Sequence, residues 1–182
     1  MIKEKELKGI ISEETYKELL AKGWEKEKLQ INFYYSNDQL INRTEVTIRI
    51  RCIKNRMCLQ IKVKEKQSEG IRLSKEYEKK MDIISNTISE EELRDVWENY
   101  VFGDVQLIGF LITERKIIEK DGVEIDIDKN IYEGITDYEV EFEFNNDNTT
   151  LDKIIKDIGL ADKLYLGESK FERFKRVRSM NC

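Results

Sequence analysis

Near its start the chain reads Glu4-Lys5-Glu6-Leu7-Lys8, two carboxylates and an ammonium at alternate positions. In an extended strand alternate side chains share a face, so Glu4, Glu6 and Lys8 point one way while Lys5 and Leu7 point the other. The device returns in groups of one sign: Arg49 and Arg51, Lys62 and Lys64, Glu76 and Glu78, Glu124 with Asp126 and Asp128, Glu139 with Glu141 and Glu143. On the alternate positions stand Ile48, Ile50, Ile61, Val63, Tyr77, Ile125, Ile127, Val140 and Phe142. The chain has no histidine, which excludes imidazole acid–base chemistry, histidine-containing triads and histidine metal ligands. A metal site must then be built chiefly from carboxylates, which select hard cations such as Mg2+ or Mn2+.

Charged pairs on a strand ordinarily form the solvated face of a half-buried sheet. Such faces mix Thr, Ser, Gln and both signs of charge, whereas here the signs are segregated strand by strand. Like charges facing each other across a hairpin, at ~5 Å and an effective dielectric of ~20, repel by about 3 kcal/mol. Salt screens that on an open surface. Inside a closed barrel the array needs carboxylates, a metal or an anionic ligand to compensate it, and arrays that are costly to keep mark functional sites.

The remaining composition narrows the field. The 182 residues fit one domain, 1–182, and 38% of them are charged against 40% hydrophobic, well above the ~25% charged of an ordinary soluble domain. A net charge of −5 does not favour long-range attraction to nucleic acid or an anionic membrane. With no long apolar run and a charged first strand, neither a signal peptide nor a membrane span is expected. The cysteines, Cys52, Cys58 and Cys182, show no zinc spacing and fit a reducing cytoplasm.

The elements that must position the charges follow in order. Ser12 caps a helix through Tyr16, Leu19 and Leu20 that stops at Gly23. Strands are expected over Gln30–Tyr35, Glu45–Ile53, Met57–Lys66 and Ile71–Met81. Ser89-Glu90-Glu91-Glu92 reads as a capping box opening a short helix. A long strand, Val105–Glu119, meets Val123–Asp128 through an Asp121-Gly122 turn, and Asp137–Phe144 follows. Residues 145–150 read as a polar turn before a helix carrying Leu151, Ile154, Ile155 and Ile158. Ser169–Met180 is a basic amphipathic segment with Phe171 and Phe174. The fold class is α+β, dominated by antiparallel strands.

In its ordered set of motifs the chain resembles the CYTH domains, or triphosphate tunnel metalloenzymes. The motifs are Glu4-x-Glu6-x-Lys8, Arg49-Ile50-Arg51, Lys62-Val63-Lys64, Glu76-Tyr77-Glu78, Thr113-Glu114-Arg115, Ile125-Asp126-Ile127-Asp128, Glu139-Val140-Glu141 and Ser169-Lys170. The Asp-Tyr-Glu-x-Glu strand and the Ser-Lys-Phe-x-Arg-Phe ending are most similar to CYTH proteins of Gram-positive bacteria. The resemblance implies a closed eight-stranded antiparallel barrel with a charged tunnel and helices packed outside. Ile50, Val63, Ile127 and Val140 would then face outward under those helices. Lys8, Arg49, Arg51, Lys62, Lys64, Arg115 and Lys170 would hold the phosphates, with Arg as a bidentate donor and Lys as a point charge. Glu4, Glu6, Asp126, Asp128, Glu139 and Glu141 would carry one or two Mg2+ or Mn2+ ions. Glu4, Glu6, Lys8, Glu139 and Glu141 would form the catalytic set, Glu76 and Glu78 would support the cations, and Glu124 and Glu143 would be structural.

The implied activity is metal-dependent hydrolysis of a triphosphate, foremost inorganic tripolyphosphate, to pyrophosphate and phosphate. The partner would be a triphosphate-containing small molecule, with no nucleic acid and no membrane, and a homodimer is compatible with the sequence. The family's class IV adenylyl cyclases carry a His-Phe signature, which is missing here, so cyclase activity is an alternative of lower standing. Thiamine triphosphatase is another, needing a surface such as Trp24 or Trp97, both read as core residues. A non-catalytic polyphosphate- or nucleotide-binding module is the third.

Overall fold

The computed structural model describes residues 1–68, 70–145 and 148–181. They form β1 (Ile2–Ile11), α1 (Glu13–Ala21), β2 (Lys26–Ser36), β3 (Val46–Ile53), β4 (Arg56–Ser68), β5 (Ile71–Met81), β6 (Thr87–Ile88) and α2 (Glu90–Val96). Then come β7 (Val105–Lys120), β8 (Val123–Tyr132), β9 (Ile135–Phe144), α3 (Asn148–Asp157), β10 (Tyr165–Leu166) and α4 (Lys170–Asn181). Cys182, and Asn146 and Asp147 of the expected polar turn, lie outside the described residues.

The strands run β1-β5-β4-β3-β2-β7-β8-β9 and back to β1, all antiparallel, closing an eight-stranded barrel. Closure is made by β1. One edge of it pairs with β5 through Ile2–Leu7 and with β10 at Gly9 and Ile10, while the other pairs with β9 through Glu6–Ile11. Full closure leaves the main strands without a free edge. None of the described helices is long and apolar enough to cross a membrane.

The alternation is inverted, as expected. The apolar residues that alternate with charge on β3, β4, β8 and β9 face outward and are covered. Ile125, Ile127, Val140 and Phe142 pack with Tyr16 and Leu19 of α1 and Leu151 and Ile154 of α3. Ile48, Ile50, Leu59 and Ile61 pack with Leu93 of α2 and Tyr100, and Val63 lies against the same cluster. Each such side chain withdrawn from water contributes about 1.5–3 kcal/mol, so the stabilising core is the barrel's coat rather than its lumen. The third cluster lies within one end of the barrel. Tyr34, Leu111 and Tyr132, on the charged face of their strands, meet Phe171 and Phe174 of α4. Gly109 makes room for this plug, since a Cβ there would come within 2.8 Å of the Phe174 ring.

The caps form as the sequence indicates. Ser12 accepts a hydrogen bond from the Thr15 N–H (3.1 Å), and Ser89 and Glu92 make a complete capping box. Several strands run longer than expected: β1 extends to both sides of Glu4–Lys8, β2 begins at Lys26, and β8 continues past Asp128 to Tyr132. The β8–β9 hairpin turns at Glu133 and Gly134, with φ of 47° and 77°, a pair of left-handed conformations suited to a two-residue turn. Residues 148–150 open α3 rather than extending the expected turn, and the two-residue strands β6 and β10 have no signal in the alternation.

Candidate active site

One cavity inside the barrel gathers most of the alternating charges. It is lined by Glu4, Glu6 and Lys8 of β1, Thr47, Arg49 and Arg51 of β3, Lys62 and Lys64 of β4, and Arg72, Ser74 and Glu76 of β5. Arg115 of β7, Glu141 and Glu143 of β9, Tyr34 of β2, and Ser169, Lys170 and Phe171 at the start of α4 complete the wall. Strands that supply more than one residue do so at every second position, which is why Arg49/Arg51, Lys62/Lys64 and Glu141/Glu143 become one-sign stripes in the lumen.

On one side of the cavity cations and carboxylates alternate in space. Lys62 Nζ lies 2.6 Å from Glu4, 3.3 Å from Glu6 and 3.7 Å from Glu76. Arg49 donates to Glu76 at 2.8 Å and to Gln60 at 2.9 Å. Its neighbour Arg51 differs: its Nε donates to Asn32 Oδ1 at 2.9 Å, and among the described residues no carboxylate lies within ion-pair distance of it. Burial, with Arg49 and Arg115 nearby, pushes the Arg51 guanidinium down to about 10. A desolvated guanidinium in this position is a ready partner for an anion.

On the other side Arg115 and Lys170 of the wall connect the cavity to a denser layer of charge behind it. Arg115 grips Asp128 with two hydrogen bonds of 2.8 Å, reaches Glu141 at 2.7 Å and pairs with Asp126. Lys170 lies within 3.0 Å of Asp128, Glu139 and Glu141. Arg173, one turn further along α4, pairs with Asp137 at 2.8 Å and with Glu139. Burial acts against the charge of Arg115 and Lys170, but the carboxylates around them outweigh it and hold both well above their ordinary values. Asp126, Asp128 and Glu139 have no solvent exposure and do not reach the cavity surface. Glu78 is exposed and accepts from Gln60 at 3.2 Å, also away from the cavity. None of these four contributes to the cavity lining.

The carboxylates that do converge are Glu6, Glu141 and Glu143, each offering an oxygen within 4.8 Å of the others. Glu143, expected to be structural, belongs to this trio because β1 pairs Glu6 with it directly. Lys8 Nζ sits 2.9 Å from Glu6 and 3.0 Å from Glu141. Burial alone would raise Glu6, but Lys8 and Lys62 draw it down to about 2. Glu141 lies well below the usual range, because Lys170, Lys8 and Arg115 overcome its burial. Glu143 goes the other way: burial and the charges of Glu141 and Glu4 push it up to about 7. Asp126 is pushed to about 8 by burial, against the pull of Arg115, and neither of its oxygens has a hydrogen-bond partner. An all-oxygen trio with a surplus of carboxylate nearby fits a hard divalent cation; Glu6, Glu141 and Glu143 would hold it.

Sequence reasoning missed Arg72, Ser74, Glu143 and Arg173 as members of this constellation. The first two lie four and two positions before Glu76, on the same strand face. Arg173 lies three after Lys170, one turn along a helix. Trp24, read as core, is 44% exposed beneath the Lys116 ammonium at 4.7 Å. Trp97 does pack against the core, stacked on Tyr77. Cys52 and Cys58 are free thiols.

A closed antiparallel barrel with a lumen of paired charges and apolar faces under helices is the architecture of the CYTH domains, and the model of that domain matches residues 3–174. The chain belongs to the CYTH family. No curated protein sequence matches it. Among solved structures it is similar to a candidate adenylyl cyclase from Hippeastrum with a dominant triphosphatase activity, at 23% identity, TM-score 0.76 and 95% coverage of both chains. It is also similar to a candidate adenylate cyclase from Bacillus halodurans, at 25% identity and TM-score 0.68, covering 96% of this chain and 99% of that one. A conserved hypothetical protein from Pyrococcus furiosus matches at 18% identity and TM-score 0.62, with 93% and 98% coverage. This spread does not single out the proteins of Gram-positive bacteria.

Proposed function

We propose that the protein hydrolyses a triphosphate with the help of a divalent cation, with inorganic tripolyphosphate as the foremost substrate. The observation that carries this reading is the sharing of one enclosed cavity by an uncompensated guanidinium, Arg51, and a carboxylate trio, Glu6, Glu141 and Glu143. One recruits anionic oxygens and the other a cation, and a phosphoric anhydride with bound metal needs both. Arg49, Arg51, Lys62 and Lys64 orient the phosphate chain and oppose the charge that builds on its oxygens. Bound Mg2+ or Mn2+ would supply further charge neutralisation at the transferring phosphoryl group. Arg115 and Lys170, with Lys8, keep Glu141 ionised, and their pairs with Asp126, Asp128 and Glu139 hold those two cations in place, a positioning role for the carboxylates behind the wall.

An inorganic substrate is favoured over a nucleotide or thiamine ester by the lining. Its two aromatic rings, Tyr34 and Phe171, are packed against each other at 4.8 Å and continue into the plug at Phe174. Neither offers a free face to a base or a thiazolium. The test is phosphate release from tripolyphosphate, ATP and thiamine triphosphate with Mg2+, Mn2+ and Ca2+. Hydrolysis of tripolyphosphate above the other two is expected. Tight binding without release under any metal would make the protein a binding module instead.

A further inference from the structure

Two polar groups in the cavity wall are left over once the network above is assigned. Arg72 is 7% exposed, and its Nη2 donates to the Gly167 carbonyl, while its Nη1 has no hydrogen-bond partner. Among the described residues no carboxylate pairs with it. Two positions on along the same face, Ser74 is 2% exposed with an unpartnered Oγ. A buried donor left unsatisfied is costly, the more so when charged, and here two of them open on one cavity beside Lys64. A divalent cation cannot satisfy a guanidinium; an anionic oxygen can.

Their place in the barrel says which oxygen. In register, β5 sets Arg72 opposite Glu6, and Glu6 in turn faces Glu143 of β9, so Arg72 flanks the carboxylate trio. Arg51, the other uncompensated guanidinium, stands far from it: Arg51 is opposite Cys58, whereas Ser74 is opposite Lys64, six residues further along β4. At ~3.3 Å per residue the two backbone levels are roughly 20 Å of strand apart; both side chains reach into the one cavity, which shortens the gap between their polar ends to what a short phosphate chain, rather than a single phosphate, can bridge.

From this juxtaposition, and resting on the triphosphate reading above, we infer that Arg72 and Ser74 form a second phosphoryl subsite beside the carboxylate trio. It binds the end of a condensed phosphate chain remote from Arg51 and makes the cavity select chain length. The ligand class is a linear inorganic polyphosphate. Arg72 donates Nη1 to a non-bridging oxygen, and Ser74 donates its hydroxyl to the same group.

The experiment is calorimetric titration of wild type, Arg72→Gln, Arg72→Lys and Ser74→Ala with pyrophosphate and with tripolyphosphate, in the presence of Ca2+. Arg72→Gln is expected to weaken tripolyphosphate binding by on the order of 10- to 100-fold while changing pyrophosphate binding less than threefold. Ser74→Ala should shift the same ratio in the same direction to a smaller extent. Arg72→Lys keeps the charge and should recover part of the loss. A fall in thermal midpoint with an unchanged ratio of the two affinities would mean that Arg72 merely ties down Gly167, and would overturn the subsite. Ser74→Ala removes one buried hydroxyl and keeps that question answerable if the Arg72 variants fold poorly. Wild type that binds tripolyphosphate with no variant altering the ratio sinks the subsite alone. Wild type that binds neither anion sinks the triphosphate reading with it.

Discussion

Three carboxylates meeting across two strands repel one another, and Lys8 between Glu6 and Glu141 offsets only part of that repulsion. Glu141 has the most to lose, since it also anchors Arg115 and Lys170. Glu141→Gln keeps the shape of the site but removes one of the charges that would hold the proposed cation. Turnover of tripolyphosphate is expected to drop by ~100- to 1000-fold while binding through Arg49 and Arg51 partly survives; equal turnover would remove Glu141 from the metal site. Glu143 makes the site pH-dependent. Its carboxyl is raised from 4.5 to about 7 by burial and by Glu141 and Glu4. The folded state therefore holds a proton that the unfolded state has released, so the stability contribution is present below pH 4.5 and fades as pH rises toward 7. A divalent cation needs the ionised form, so Mg2+ should bind more tightly at pH 8 than at pH 6, with proton release at pH 6. Calorimetry in two buffers of different ionisation enthalpy measures that release, and equal affinity at both pH values would contradict it. The pairs Glu4/Glu6 and Arg49/Arg51 were legible as chemistry because two-residue spacing fixes a shared face. Glu143 was not, because its role depends on the β1–β9 register, which no local pattern encodes.

At the scale of elements the inversion of the barrel decides what a sequence reveals. The outward apolar stripes on β3, β4, β8 and β9 read easily because they alternate with charge. The second half of β8 does not, since Lys129, Asn130 and the following Glu133-Gly134 look like a loop. Asn130 is in fact wholly buried, receiving a hydrogen bond from Thr113 (2.8 Å) and donating to Asp137 (2.9 Å). When a lumen is polar, polarity no longer marks loops. α4 shows the complementary case: its basic, amphipathic pattern marks Phe171 and Phe174 as an apolar face but does not say that this face enters the barrel end. Phe174→Ala should cost about 3–5 kcal/mol in urea unfolding, and a loss under 1 kcal/mol would show that the plug is not part of the folded core. The start of α4 is pinned by Glu172, which caps Ser169 and pairs with Lys64 at 3.1 Å. Burial would raise Glu172, yet the hydrogen bonds from Ser169 and the ion pair with Lys64 draw it down to about 2. Its contribution is thus complete above pH 4.5 and lost as pH falls toward 2. Water screens this pair near the surface, so about 1 kcal/mol is at stake. Wild type should lose that much more stability between pH 4.5 and 2.5 than Glu172→Gln does, and parallel pH profiles would rule the pin out.

For the whole molecule the question is how a chain of net charge −5 keeps a lumen fit for a polyanion. The acidic excess is distributed over the surface, where salt screens it within ~8–10 Å. Inside, the lower effective dielectric would make Arg51 and Arg72 stronger partners for an anion than exposed arginines are. Buried ion pairs contribute little net stability once desolvation is counted, so the barrel is held by its outer apolar coat, while Arg51, Arg72 and Ser74 leave an electrostatic cost in the lumen that no ion pair relieves. A ligand that relieves this cost must stabilise the fold. At ~100 times its Kd a ligand adds about 2.7 kcal/mol, which for a domain near this size raises the melting midpoint by roughly 5–10 °C. Tripolyphosphate with a divalent cation is expected to give the full rise, and orthophosphate, reaching only one level of the barrel, a smaller one. Raising ionic strength should weaken a surface-bound polyanion steeply but a lumen-bound one less, so the shift should persist at moderate salt. A midpoint that is flat across saturating tripolyphosphate, or that rises only at low salt and equally with orthophosphate, would place the anion on the outside of the barrel and end the triphosphate reading.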